Sequence, residues 1–314
     1  MKDIYERISE LCKTQASFAL LFCLILFFLS LSVVLPLFLS LTVFLWGGAL
    51  EDLSSLLSGN LESFDYGAYL FRLVQSENQL LTWGFTAVAM AYFLGRPTQV
   101  LKVEKSIDLR DIGIAALILL LIIPIIQAIY IPADSFELPT FLKGFEADMK
   151  LREAESQKVL LELFSDPSMT LLFLNLLVFA AIPAFCEEFF FRGILQQQFS
   201  RSMSPHLAIA LSAAIFSFIH FQFYGFFGRM LLGIILGYFL YTSGSLWPSI
   251  FAHFVFNAFS IILTYLAAAK GILETEIANN EYEFPLSMIL FSFLSVGMLM
   301  FLYLRRERIP NKTT

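Results

Sequence analysis

About eight apolar runs, most of them near the ~20 residues that a helix needs to cross a lipid bilayer, divide this chain. Inside hydrocarbon no water is present to satisfy backbone N–H and C=O groups. A spanning segment must therefore pair them internally as a helix, or close into a barrel. These runs are continuously apolar rather than alternating, which selects the helix. They cover 18–46, 80–94, 112–131, 169 through the Glu187–Glu188 pair, 207–221, 226–241, 248–268 and 285–304. The first exceeds one crossing and is expected to tilt, or to kink at Pro36. The chain is 58% hydrophobic and 15% charged, against roughly 25% charged in a soluble domain. The expected fold class is all-α, a polytopic membrane helix bundle of about eight transmembrane helices. Its expected parts are 1–168, N-terminal spans and amphipathic loops; 169–269, a helical core; and 270–314, a last span and basic tail. Together they form one integral membrane domain.

Between the runs, 1–14 reads as a short interfacial helix and 51–78 as a loop with amphipathic helical pieces. Residues 146–163 read as one charged, exposed helix. The first run is long and lacks a small-residue cleavage site, so it is expected to be an uncleaved anchor. Eight spans put both termini on one side, and the segments on that side carry most of the 20 Lys and Arg. The expected topology is multi-pass with cytoplasmic termini. The sequence has no basic block or nucleic-acid motif, so the bilayer is an expected partner and nucleic acid is not. Cys12, Cys23 and Cys186 suggest neither a disulfide framework nor a Cys-type zinc site.

Charge inside the runs is rare and concentrated. Glu187 and Glu188 are adjacent, and Arg192 lies four residues after Glu188, so Glu188 and Arg192 can neutralise each other on one helix face. Glu187 points about 100° away round the helix and needs a partner from elsewhere in the chain. His220 closes the run Ala213–His220 in the fifth span, and His253 lies in the seventh with Asn257 four residues on, on the same face. His206 follows Pro205 and reads as interfacial. Arg229 and Asn175 stand apart from the cluster. Gly233 and Gly237 in the sixth span form a small-xxx-small face suited to close helix approach. Polar groups in membrane helices commonly serve as interhelical hydrogen-bond glue. Two carboxylates, an arginine, two histidines and an asparagine spread over three helices read instead as a site.

Glu187-Glu188-Phe-Phe-Phe-Arg192, then Phe216-xxx-His220, then His253-xxx-Asn257 resembles the three motifs of the CPBP family of intramembrane proteases. That family contains the CAAX prenyl endopeptidases of the Rce1 type and the bacterial Abi or bacteriocin-processing proteins. The stretch Thr242-Ser-Gly-Ser-Leu-Trp-Pro-Ser-Ile250 is also similar to bacterial members, a resemblance that implies a bacterial inner membrane. The resemblance covers 183–257 and leaves the first 165 residues and the tail outside it. It implies a glutamate-dependent endopeptidase acting on a peptide or membrane-anchored protein substrate.

The residues support such chemistry. Glu187 with His220 can take a proton from water, and His253 with Asn257 can donate hydrogen bonds to a developing oxyanion. Glu188 and Arg192 then support the helix and orient Glu187. The expected cofactor is none. A zinc site using Glu187, His220 and His253 is the rival, because His₂Glu with an open position is a catalytic zinc set. A non-catalytic scaffold is a further alternative. A transporter would show repeated halves, which are missing here. His220 lies fifteen residues past Pro205, about 22 Å along its helix. It can meet the other two only if that helix tilts or starts outside the membrane, with the fourth span continuing through Gln198. An inward-opening, water-filled cavity is the expected result.

Overall fold

The computed structural model describes residues 2–48, 66–106, 108–130, 137–273 and 284–305, with residues 53, 55, 56 and 61. Among them there is no β-strand. The helices are α1 (Lys2–Thr14), α2 (Ala16–Leu45), α3 (67–94), α4 (Leu109–Ala128) and α5 (Lys143–Leu163), followed by α6 (Met169–Phe199), α7 (Pro205–Phe218), α8 (Phe226–Ser243), α9 (Trp247–Ala269) and α10 (Leu286–Leu304). The polytopic all-α bundle is as the apolar runs require.

Six of these, α2, α4, α6, α8, α9 and α10, are long and apolar enough to cross a membrane. The other two expected spans take different forms. The run 80–94 is the second half of one continuous helix, whose first half carries Arg72 and Glu77. The run 207–221 is a helix of 14 residues that stops at Phe218. At 1.5 Å per residue it is about 21 Å long, short of a hydrocarbon core of about 30 Å. Of the amphipathic loop expected over 51–78, residues 67–78 are helical, and most of the remainder lies outside the described residues, as does the basic tail beyond 305.

Proline inside α2 and α6 is accommodated by widening. Pro36 follows a π-helical turn at Ser30–Val34, and Pro183 follows one at Leu176–Ala181. A proline ring clashes with the carbonyl one turn back and offers no N–H, so a wider preceding turn relieves it without ending the helix. Between them α2 and α6 thus stay continuous over 30 and 31 residues.

Buried polar groups join the helices. Arg72 on α3 is 2% exposed; its Nε donates to Asn175 Oδ1 of α6 at 2.7 Å, its Nη2 to the Leu163 carbonyl at 2.7 Å, and its Nη1 to the Ala68 carbonyl at 2.9 Å. The sequence reading left Asn175 outside the cluster; it is the acceptor that neutral surroundings offer this cation. The exposed helix expected at 146–163 is α5. It is docked by Tyr130 Oη to Glu153 Oε1 (3.2 Å) and Gln222 Nε2 to Ser156 Oγ (3.2 Å). At the other end Arg201 donates to the Cys12 and Lys13 carbonyls, at 2.8 and 2.7 Å, and so fixes α1 beside the end of α6.

Ser200, beside α1, and Asp148 on α5 are both exposed, and the excess of Lys and Arg lies on the α1 side. In intact cells a cysteine at position 200 should react with a membrane-impermeant maleimide only after the cytoplasmic side is opened. A cysteine at position 148 should react without that step. The reverse pattern would invert the topology.

Candidate active site

The site begins with the spacing of polar residues on α6. Glu188, Arg192 and Gln196 recur every four residues, and the last two meet the glycine face of α8, which runs beside them in the same direction. Arg192 Nη1 donates to Glu188 Oε1 at 2.6 Å and its Nη2 to the Gly233 carbonyl at 3.2 Å. Gln196 Nε2 donates to the Gly237 carbonyl at 3.1 Å. A Cβ at Gly233 would stand 3.0 Å from Ala213 Cβ and 3.2 Å from Arg192 Nη2, and one at Gly237 2.7 Å from Gln196 Oε1. The small-xxx-small face therefore does more than permit close packing. It leaves two helix carbonyls open to buried donors that have no water to turn to. The Arg192 guanidinium also sits over the Phe216 ring, 4.6 Å from its centroid, a cation–π contact in a dry setting.

Two carboxylates and one imidazole lie at the centre. His253 Nδ1 donates to Glu188 Oε1 at 2.9 Å, which leaves Nε2 facing Glu187 Oε2 at 3.9 Å. Glu188 is 0% exposed, Glu187 6% and His253 3%. The two helices come into register because α9 starts inside the bundle. Leu246 N donates to the Lys102 carbonyl and Trp247 Nε1 to the Val103 carbonyl, and a Cβ at Gly193 would be 3.7 Å from Leu246. Glu187 lies six residues before Gly193, and His253 six residues after Trp247. On antiparallel helices both residues are then about 9 Å from that common level.

His220 departs from its expected place within the fifth span. It lies in the turn just past the end of α7, half-buried, and is followed by Phe221 at φ +52°, a left-handed conformation uncommon for a bulky residue. Its Nδ1 donates to the Phe216 carbonyl at 2.7 Å, so its Nε2 is the free, proton-accepting nitrogen. The Phe216 ring meets His220 edge-on at 4.9 Å and His253 at 6.1 Å. The structure thus brings Glu187, Glu188, Arg192 and His253 into direct contact and joins His220 to them across Phe216. Asn257 follows one turn after His253 on the same helix and is half-buried. α6 does continue through Gln198, as a meeting with His220 requires. The shortness of α7 and the recessed start of α9 supply the rest of the alignment. His206 is exposed and bonded to Tyr238 Oη at 2.9 Å, consistent with its interfacial reading.

The partner that Glu187 needed is Gln79 on α3, whose Nε2 donates to Glu187 Oε1 at 2.9 Å. A search for charges and histidines passes over a neutral amide. The available signal was a polar stripe at helical spacing, Gln75, Gln79, Thr82 and Thr86, that continues from the polar stretch 75–79 into the apolar run. Among the described residues no three His, Cys, Asp or Glu side chains are grouped closely enough to hold a metal ion.

Residues 169–259 match the family model for Type II CAAX prenyl endopeptidase Rce1-like proteins. No curated protein and no solved structure is detectably similar to the chain. The matched segment runs from the start of α6 into α9 and contains all six residues of the polar cluster singled out from the sequence. It is the part of the bundle in which carboxylate, imidazole and guanidinium meet away from water, and it is this segment of the chain that is similar to Rce1-like proteins.

Proposed function

We propose that this protein is an intramembrane endopeptidase in which Glu187 activates water against a peptide bond of a membrane-associated substrate. The Rce1-like match supports a CAAX-type intramembrane protease. The observation that carries the mechanism is the Glu188–His253–Glu187 arrangement. With Nδ1–H committed to Glu188, His253 presents an unprotonated Nε2 at 3.9 Å from Glu187 Oε2. One water about 2.8 Å from each can bridge the two atoms. Glu187 takes a proton from that water as its oxygen forms the new bond to the carbonyl carbon. The carbonyl π electrons move to oxygen, and the Asn257 amide, one turn along the same face, donates to the resulting oxyanion. When the tetrahedral intermediate collapses, the C–N bond breaks and the leaving amine takes the proton back from Glu187. His220, with Nε2 free, stands across Phe216 as the second acceptor at the site. This differs from the pairing of Glu187 with His220 expected from sequence, because His253 is the imidazole in closer contact with Glu187. Cytoplasmic termini and a bacterial inner membrane remain part of the proposal, with a peptide or membrane-anchored protein as substrate.

The reading is metal-free. Glu187, His220 and His253 would be the ligands of a zinc ion, but these side chains are not gathered into a ligand set. Cleavage of an internally quenched, farnesylated CAAX peptide by the purified protein should survive chelator, and the protein should carry no stoichiometric zinc by atomic absorption. Chelator-sensitive cleavage restored by zinc would replace the water-activation scheme with a metal one.

The two adjacent glutamates should fail differently. Glu187→Gln keeps the shape and the contact with Gln79 but cannot take a proton. It should lower the cleavage rate by at least about 10²-fold while the thermal unfolding midpoint in detergent stays near wild type. Retained activity would remove Glu187 from the role of base.

Glu188→Gln strands the 1%-exposed Arg192 without a counter-charge, at a cost of about 3–5 kcal/mol. Thermal unfolding should drop sharply for Glu188→Gln and recover in part when Arg192→Gln is added. A Glu188→Gln variant as stable as wild type would show that the ion pair does not hold α6.

A further inference from the structure

The sequence attaches no chemistry to the N-terminal spans, and the family match begins only at residue 169. Yet the carboxylate assigned as base is held from α3. Gln79 Nε2 donates to Glu187 Oε1 at 2.9 Å, while Gln79 Oε1 is buried and has no hydrogen-bond partner among the described residues. An amide that spends its donor on a carboxylate and keeps a dry, unpaired acceptor beside it is costly as mere glue. A buried acceptor left unpaired in this way asks for a functional reason.

The setting is also rigid. Seven residues before Gln79, Arg72 clamps α3 to Asn175 of α6. Four residues after it, the Trp83 ring packs against Phe190 and Phe191 at 5.1 and 5.3 Å. Next to Trp83, a Cβ on Gly84 would stand 3.0 Å from Cys186 Sγ, so the two backbones cannot slide past each other freely. Gln79 is thus fixed on both sides, as a group that orients a reacting carboxylate must be.

We propose that Gln79 is the positioning residue of the active site, holding Glu187 Oε1 through its amide N–H so that Glu187 Oε2 is left to face His253 and the water. This rests on Glu187 being the base. It makes α3, outside the family segment, part of the catalytic machinery. Around Glu187 the other charged or titratable groups are His253 from α9, His220 from the turn after α7, and Cys186, Glu188 and Arg192 on α6; Arg229 lies behind His220.

The test reads Glu187 directly. In the full-length protein in detergent, infrared titration follows the carboxylic C=O band that disappears in Glu187→Gln. Gln79→Leu removes a donor to the ionised form and should move the midpoint of that band up by about one pH unit. Gln79→Lys restores a donor and adds a positive charge, and should move it down. A packing role alone would not produce opposite signs, so equal or unchanged midpoints overturn the proposal. Should Gln79→Leu lose its fold, Gln79→Met, which keeps the length and lacks the donor, takes its place and should also move the midpoint up. On the farnesylated CAAX peptide, Gln79→Leu should lower kcat about tenfold or more with KM nearly unchanged. If the wild-type protein leaves that peptide intact, the substrate reading fails, while the infrared titration still decides the role of Gln79.

Discussion

A single oxygen, Oε1 of Glu188, accepts from Arg192 on its own helix and from His253 on α9. Most of what is specific in this bundle depends on it. An isolated charge at membrane depth costs several kcal/mol, and pairing removes most of that cost only when the geometry is close and the remaining donors are used. Here they are used. Arg192 spends a second N–H on the Gly233 carbonyl and its face on Phe216. In this way α6, α7, α8 and α9 are tied to one buried point. The same contact fixes the His253 tautomer, which is why its Nε2 is left to face Glu187.

The backbone adapts to this point in two ways. α8 gives up side chains at Gly233 and Gly237, so that its carbonyls reach the donors of α6. α6 widens into π-helical turns at Leu176–Ala181 and Phe189–Gln196, on either side of the Glu187–Glu188 pair. Such widening is frequent at functional sites, because an extra residue in a turn re-aims side chains without ending the helix. It also lets one helix carry Pro183, Glu187, Glu188 and Arg192 within ten residues. The second span completes the arrangement by supplying the neutral amide that meets Glu187.

The membrane helices and the reactive residues were legible because both follow from short-range rules. Hydrocarbon excludes charge, so Glu187, Glu188, Arg192, His253 and Asn257 are conspicuous in their runs, and the 3.6-residue repeat alone pairs Glu188 with Arg192 and His253 with Asn257. The close approach at Gly233 and Gly237 follows from residue size. Run length was a weaker guide. The apolar stretch 207–221 hides a helix end at Phe218, because Ile219, Phe221 and Phe223 keep the turn around His220 as apolar as the span itself.

What the tertiary structure alone decided is depth and partnership. Sequence spacing measures distance along one helix and says nothing of where the next helix begins. α9 starts level with Gly193 because Leu246 and Trp247 bond to the carbonyls of Lys102 and Val103, and that contact, 144 residues away in the chain, sets His253 beside Glu187. The same holds for Gln79, a neutral residue 108 positions from its partner. An isolated charge announces itself from sequence by its cost. A neutral amide carries no such penalty, and its partner is chosen only when the helices assemble.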